Sequence, residues 1–193
     1  MLHLYYGPGK GKSTAALGML LRAYGHGFKV AYFGFLKGEG FYGEFEALKK
    51  LDIEKYCFGK SCPYASLIKA GIKSCPVMDN CNLCHVNIKN PDQEDKKLFQ
   101  EGFFWARDQI NASIYRLVVM DELALAAKIG LIAEESLTAF LKEIKRKESL
   151  EMIITGRETP LYLKAYADYV TYFAEERHPF TELGLTSRRG VEF

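Results

Sequence analysis

The run Leu2-His3-Leu4-Tyr5-Tyr6 stops at Gly7-Pro8-Gly9-Lys10-Gly11-Lys12-Ser13-Thr14. Apolar residues then recur at helical spacing through Ala15, Ala16, Met19, Leu20 and Ala23, until Gly25-His26-Gly27 ends the pattern. A buried strand, a glycine-rich turn and a helix in that order are the setting of a phosphate-binding loop. Glycines let main-chain N–H groups approach an anion, and the start of the next helix adds its positive end. Lys12 adds a full charge, and Ser13 offers a hydroxyl to a magnesium ion. A flexible turn with two solvated lysines is the plainer alternative, but loop, strand and helix agree on phosphate. The spacing departs from the general pattern G-x-x-x-x-G-K-[ST], because its first glycine would fall on Tyr6 and stands at Gly7 instead. A variant loop implies a variant cradle, and so argues against ordinary γ-phosphate transfer.

The rest of the chain repeats the alternation. Val30–Phe35, Ile53–Cys57, Arg116–Met120, Glu151–Thr155 and Tyr169–Ala174 read as strands. Helical patterns fall at Gly43–Leu51, from Pro91-Asp92 to about Asn111, at Glu134–Lys147 and at Pro160–Ala167, and the tail from His178 to Phe193 has little periodicity. Continuous apolar strands alternating with helices predict an α/β fold, P-loop NTPase-like, with a mostly parallel sheet covered on both faces. Residues 57–91 break the rhythm with cysteines, prolines and asparagines, and read as a cysteine-rich insertion within a single domain of 1–193. At 193 residues, 48% of them hydrophobic, there is material for one core. The 26 basic and 24 acidic residues nearly cancel, which gives no footprint for nucleic acid. No run of about 18 apolar residues suggests a membrane span, and the N-terminal residues do not resemble a signal peptide, so a cytoplasmic setting is expected.

Ligands of parallel sheets bind at the carboxyl ends of strands. Leu117-Val118-Val119-Met120 runs into Asp121-Glu122, and a magnesium–triphosphate complex takes one or two protein carboxylates. Asp121 would hold the ion directly or through water, and Glu122 would complete its shell; Asp121 could also cap the next helix. Thr155-Gly156-Arg157 follows another strand, where an arginine fork could clamp phosphate oxygens or simply lie in a surface turn. Lys37, after the second strand, is similar. The five cysteines, Cys57, Cys62, Cys75, Cys81 and Cys84, all fall in the insertion, with His85 next to the last. Cys62, Cys75, Cys81 and Cys84, with Cys57 as an alternative, could hold zinc or an iron–sulfur cluster, and free thiols are the third reading. Phe103-Phe104-Trp105 lies on the helix before Asp121, and core packing is the better reading of Trp105.

Taken in order, these pieces resemble the P-loop ATP:corrinoid adenosyltransferases. The resemblance rests on Tyr6 to Thr14, Arg22-Ala23-Tyr24-Gly25-His26-Gly27, Phe35-Leu36-Lys37-Gly38 and Gly43-Glu44. It continues through Val118 to Leu123, Ile154-Thr155-Gly156-Arg157, His178-Pro179-Phe180 and Gly184 to Phe193. Pro8 stands where the family usually has asparagine, and the cysteine stretch stands where the family covers its corrin. The resemblance implies that Co(I) of a reduced corrinoid attacks the 5′ carbon of ATP and inorganic triphosphate leaves. It implies Gly7, Pro8, Gly9, Lys10, Gly11, Lys12, Ser13, Thr14, Lys37 and Arg157 around ATP, with Ser13, Asp121 and Glu122 serving magnesium. Lys12, Glu122 and Arg157 would then be the catalytic residues. It further implies a low-potential electron donor such as a flavoprotein, and a homodimer. A nucleoside kinase of the thymidine-kinase type, with Glu39 or Glu44 as its carboxylate, is the rival reading. A non-enzymatic nucleotide-dependent regulator or corrinoid carrier is the third.

Overall fold

The computed structural model describes residues 1–40, 42–72, 86–185 and 188–191. Among these residues, six strands form one sheet: β1 (Leu2–Tyr6), β2 (Val30–Phe35), β3 (Glu54–Phe58), β4 (Leu117–Asp121), β5 (Glu151–Gly156) and β6 (Tyr169–Tyr172). Their order is β3-β2-β4-β5-β1-β6, and every pair is parallel. The sheet is thus fully parallel.

Side-chain alternation divides β2 between two cores. Ala31, Phe33 and Phe35 face one, while Val30 and Tyr32 face the other. On the second face lie α1 (Lys12–Gly25), through Ala16 and Leu20, and α2 (Gly43–Lys50), through Phe45 and Leu48. After α3 (Ala65–Lys69), the opposite face is covered by α4 (Gln93–Ala112), α5 (Leu123–Lys128), α6 (Glu134–Lys145) and α7 (Leu161–Tyr166). Burial on both faces explains the continuous apolar strands. The chain leaves β1 toward the α1 face but leaves β4 and β5 toward the other. A crevice therefore opens at the carboxyl ends of these strands, the switch point where ligands bind in open α/β sheets.

Three readings of the sequence change. Trp105 is not a core residue: it is 40% exposed, with its ring 4.6 Å from Tyr56 and 5.9 Å from Phe58 at the β3 edge. The buried stripe of α4 is Phe99, Phe103, Ala106 and Ile110, and position 105 falls off it. Cys57, expected both at the end of the third strand and as the first residue of the insertion, lies in β3, opposite Gly34, and packs against the α1–α2 core. Helices α5 and α8 (Pro179–Leu183) add to the expected set. Among the described residues, no helix is long and apolar enough to cross a membrane.

Candidate functional site

The loop between β1 and α1 is tied down by backbone. Gly7 N–H donates to the carbonyls of Gly156 (3.3 Å) and Arg157 (3.2 Å), and Gly9 N–H donates to Phe173 O at 2.9 Å. The strap Phe173-Ala174, running on from β6, presses so closely that a Cβ on Gly9 would lie 2.2 Å from Ala174 O, and one on Gly7 2.5 Å from Phe173 O. Both obstacles are main chain and cannot swing aside. Gly9→Ala should therefore weaken ATP binding by about one to two orders of magnitude, the ~1–3 kcal/mol typical of overpacking, as read by calorimetric titration. Affinity within threefold of wild type would count against the strap as the loop's mould.

Lys12, only 7% exposed, folds back over this loop. Its ammonium donates to Gly7 O and Gly9 O, both at 2.7 Å. Burial pushes its pKa below the ordinary lysine value, the nearby Glu122 carboxyl opposes that, and Arg157 adds to it. Gly11, at φ 109°, turns the chain into α1. Pro8, Lys10 and Thr14 are exposed beside the loop.

Asp121 ends β4 with its side chain on the α1 face, fully buried. Its Oδ1 accepts from Ser13 Oγ at 2.7 Å and from Thr155 Oγ1 at 2.6 Å. Its Oδ2 accepts from Tyr32 OH and from Lys37 Nζ, each at 2.7 Å. Four donors fill all the lone-pair sites of one carboxylate. Burial alone would raise its pKa, but the Lys37 charge, with the bonds from Lys37, Thr155 and Tyr32, holds it down to about 2. Burial likewise works against the Lys37 charge, and Asp121 and Glu122 overrule it, so Lys37 sits well above its ordinary value. Lys37 was expected on phosphate and is found on Asp121. Helix capping is not the role of Asp121: Glu122 holds that position, in a left-handed conformation with φ 62° and no side-chain cap.

Glu122 N–H donates to Thr155 Oγ1 at 2.9 Å. Its Oε2 is shut off from solvent and has no hydrogen-bond partner. Burial, then the neighbouring Asp121 charge, raise its pKa. An orphaned buried carboxylate oxygen beside Ser13 Oγ and Asp121 is a donor set suited to a hard cation, so the residues present fit magnesium. Arg157 is exposed at the same crevice, where its charge acts on both Lys12 and Glu122.

The other expected ligands lie at varying remove from this cluster. Glu39 pairs with Lys55 at 2.9 Å, and Glu44 is partly buried on the first turn of α2, where its charge acts on Tyr32 and Lys37. For Cys57, burial pushes the free thiol up to about 11. Cys62 is partly buried, and Cys75, Cys81, Cys84 and His85 lie outside the described residues. Among the described residues, no three histidine, cysteine or acidic side chains group as metal ligands. Two contributors escaped sequence reading. Tyr32 looked like one more strand aromatic, and the Phe173-Ala174 strap acts through main-chain atoms that no residue type announces.

A parallel sheet, a lysine-bearing glycine loop and a carboxylate at the end of β4 define a nucleotide-binding protein of the phosphate-loop class. A family model described as "ATP:corrinoid adenosyltransferase BtuR/CobO/CobP" matches residues 1–193, and the chain belongs to that family. It is 30% identical to a corrinoid adenosyltransferase from Sinorhizobium sp over 188 residues, covering 97% of this chain and 77% of the relative. A corrinoid adenosyltransferase from Pseudomonas aeruginosa is 26% identical over 196 residues, covering 100% and 83% of the two chains. One from Escherichia coli (strain K12) is 26% identical over 190 residues, covering 98% and 84%. The enzyme is thus an ATP:corrinoid adenosyltransferase, and the kinase reading is set aside.

Proposed function

We propose that this chain transfers the 5′-deoxyadenosyl group of ATP to Co(I) of a reduced corrinoid, with the Gly7–Ser13 loop holding the triphosphate as leaving group. The observation that carries the reading is the convergence of Ser13, Lys37 and Thr155 on Asp121, beside the unpartnered Glu122 carboxyl and the loop spanned by Lys12. In the reaction the Co(I) electron pair forms the cobalt–carbon bond, the C5′–O bond breaks, and triphosphate carries that bond's electrons away. No proton moves on the nucleophile, so the site needs no general base.

What it needs is charge neutralisation and alignment. Lys12 faces the leaving triphosphate once it turns from Gly7 O and Gly9 O, the main-chain donors of Gly9, Lys10 and Gly11 line the cradle, and Arg157 steadies the outer phosphate. Ser13, Asp121 and Glu122 would hold magnesium, which when bound supplies charge neutralisation on the phosphates. Lys37 leaves Asp121 for phosphate as the nucleotide arrives. A low-potential donor such as a flavoprotein supplies the electron that makes Co(I), and the working form is a cytoplasmic homodimer. Residues 57–91, whose first two residues Cys57 and Phe58 end β3, make an insertion in which Cys62, Cys75, Cys81 and Cys84 bind zinc or an iron–sulfur cluster. The absorption spectrum of protein purified without oxygen separates these two.

The test of the activity is anaerobic incubation with ATP, magnesium and reduced corrinoid. The expected result is a cobalt–carbon absorption spectrum with one inorganic triphosphate per product. Release of ADP, or ligand binding without turnover, would overturn the reading.

A further inference from the structure

The four donors on Asp121 are not equivalent. Each carboxylate oxygen has one donor from inside the sheet and one from the crevice: Thr155 and Ser13 on Oδ1, Tyr32 and Lys37 on Oδ2. Thr155 and Tyr32 are fully buried in the sheet, at 0% exposure. Ser13 and Lys37 sit on the loop side and are partly open to solvent. The inner donors have nowhere else to go, whereas the outer ones can be exchanged for a ligand.

Tyr32 reaches Asp121 because of what is missing beside it. Gly34 is the β2 partner of Asp121 in the sheet register, and it shares a face with Tyr32 two residues earlier. A Cβ on Gly34 would stand 3.0 Å from Tyr32 Cε1 and 3.5 Å from its hydroxyl. The Tyr32 ring thus occupies the space that a side chain at 34 would take, and its edge contact with Phe45 at 5.7 Å braces it from the α2 side. The geometry points to Tyr32 and Thr155 as positioning residues. They fix the plane of the Asp121 carboxylate, so that its two outward lone pairs face the crevice when Ser13 and Lys37 exchange for magnesium–ATP. Thr155 has a second task, since the same hydroxyl accepts from Glu122 N–H and holds the left-handed turn that aims the second carboxylate. The inference rests on the reading of Asp121 as a magnesium carboxylate, and it adds the device that orients it. Such outer partners change metal affinity by about 10- to 100-fold in other proteins.

The experiment measures ATP affinity by calorimetry with and without magnesium, and records Mn2+ line broadening in the ATP complex, none of which needs turnover. Tyr32→Phe should cut the gain in affinity that magnesium confers by about tenfold, and leave metal-free ATP binding within about twofold. Thr155→Val should do the same, and Thr155→Ser should restore the gain. Thermal melts establish that each variant is folded, and the Thr155 pair carries the test if Tyr32→Phe is not. Asp121→Asn is the control. A gain retained in Asp121→Asn would overturn the magnesium assignment and this inference with it. A gain lost there but retained in Tyr32→Phe and Thr155→Val, or equal losses with and without metal, would overturn the positioning role alone.

Discussion

Lys12→Ala should lower turnover about a thousandfold and leave the protein folded. The side chain is buried and makes two short bonds to loop carbonyls, so two effects compete. Stripping the ammonium from Gly7 O and Gly9 O leaves acceptors short of a partner, worth about 1–3 kcal/mol of stability. That is well below the ~5–15 kcal/mol of a typical domain. The loop also keeps its independent anchors, Gly7 N–H on Gly156 and Arg157 and Gly9 N–H on Phe173. The loss in the reaction is larger. Charge grows on the triphosphate as the C5′–O bond breaks, and removing one well-placed donor from such a site costs about 10²–10³ in rate. Arginine should not rescue, because the enclosed space is fitted to a compact ammonium bridging two carbonyls. Anaerobic triphosphate release, read beside a circular-dichroism melt, measures both effects. Activity within tenfold of wild type in a folded Lys12→Ala protein would remove Lys12 from the catalytic set.

The ATP side of the site is where sequence and structure agree most closely. A phosphate loop is a local object: strand, turn and helix are contiguous, and each declares itself by spacing or glycine content. The positions of Asp121 and Arg157 at the ends of β4 and β5 were legible for a related reason, since a polar residue after a continuous apolar strand marks the sheet's carboxyl edge. Tyr32 was not legible, because its role depends on register. Only the pairing of β2 with β4 sets Gly34 opposite Asp121 and opens the path for the ring. Helix α5 was missed because Leu123 to Ala127 are buried all round, so no polar face gave it a period. Trp105 was misplaced because an aromatic triplet on a helix does not reveal which member points inward. Lys37 was read as a phosphate ligand from its place after β2; what that place could not show is its bond to Asp121, which spares a buried carboxylate from standing unpaired.

That pairing gives the largest expected effect on stability. Asp121→Asn puts an amide nitrogen, which cannot accept, against donors on at least one side, and leaves the Lys37 charge buried without its partner. Breaking one member of a buried pair costs about 3–5 kcal/mol, which for a chain of this size lowers the melting temperature by roughly 10 °C. Removing the other charge as well, in Asp121→Asn with Lys37→Met, should recover more than half of that loss, because the orphaned ammonium and not the missing carboxylate carries most of it. Acid should reproduce the single variant in the wild-type protein. Asp121 is held down to about 2, so its contribution is full above the unfolded carboxylate pKa and is lost as pH falls from about 4 toward about 2. Glu122 runs the other way. Its pKa is raised by burial and by Asp121, so taking up a proton relieves strain in the folded state. The stability difference between wild type and Asp121→Asn should therefore grow slightly on acidification from neutrality to about pH 4, then collapse below it. Urea titrations from pH 7 to about pH 2.5 across that carboxylate window follow both limbs. A difference that stays flat to the acid end, or a double variant no more stable than the single one, would mean that Lys37 and Asp121 do not hold each other in the crevice.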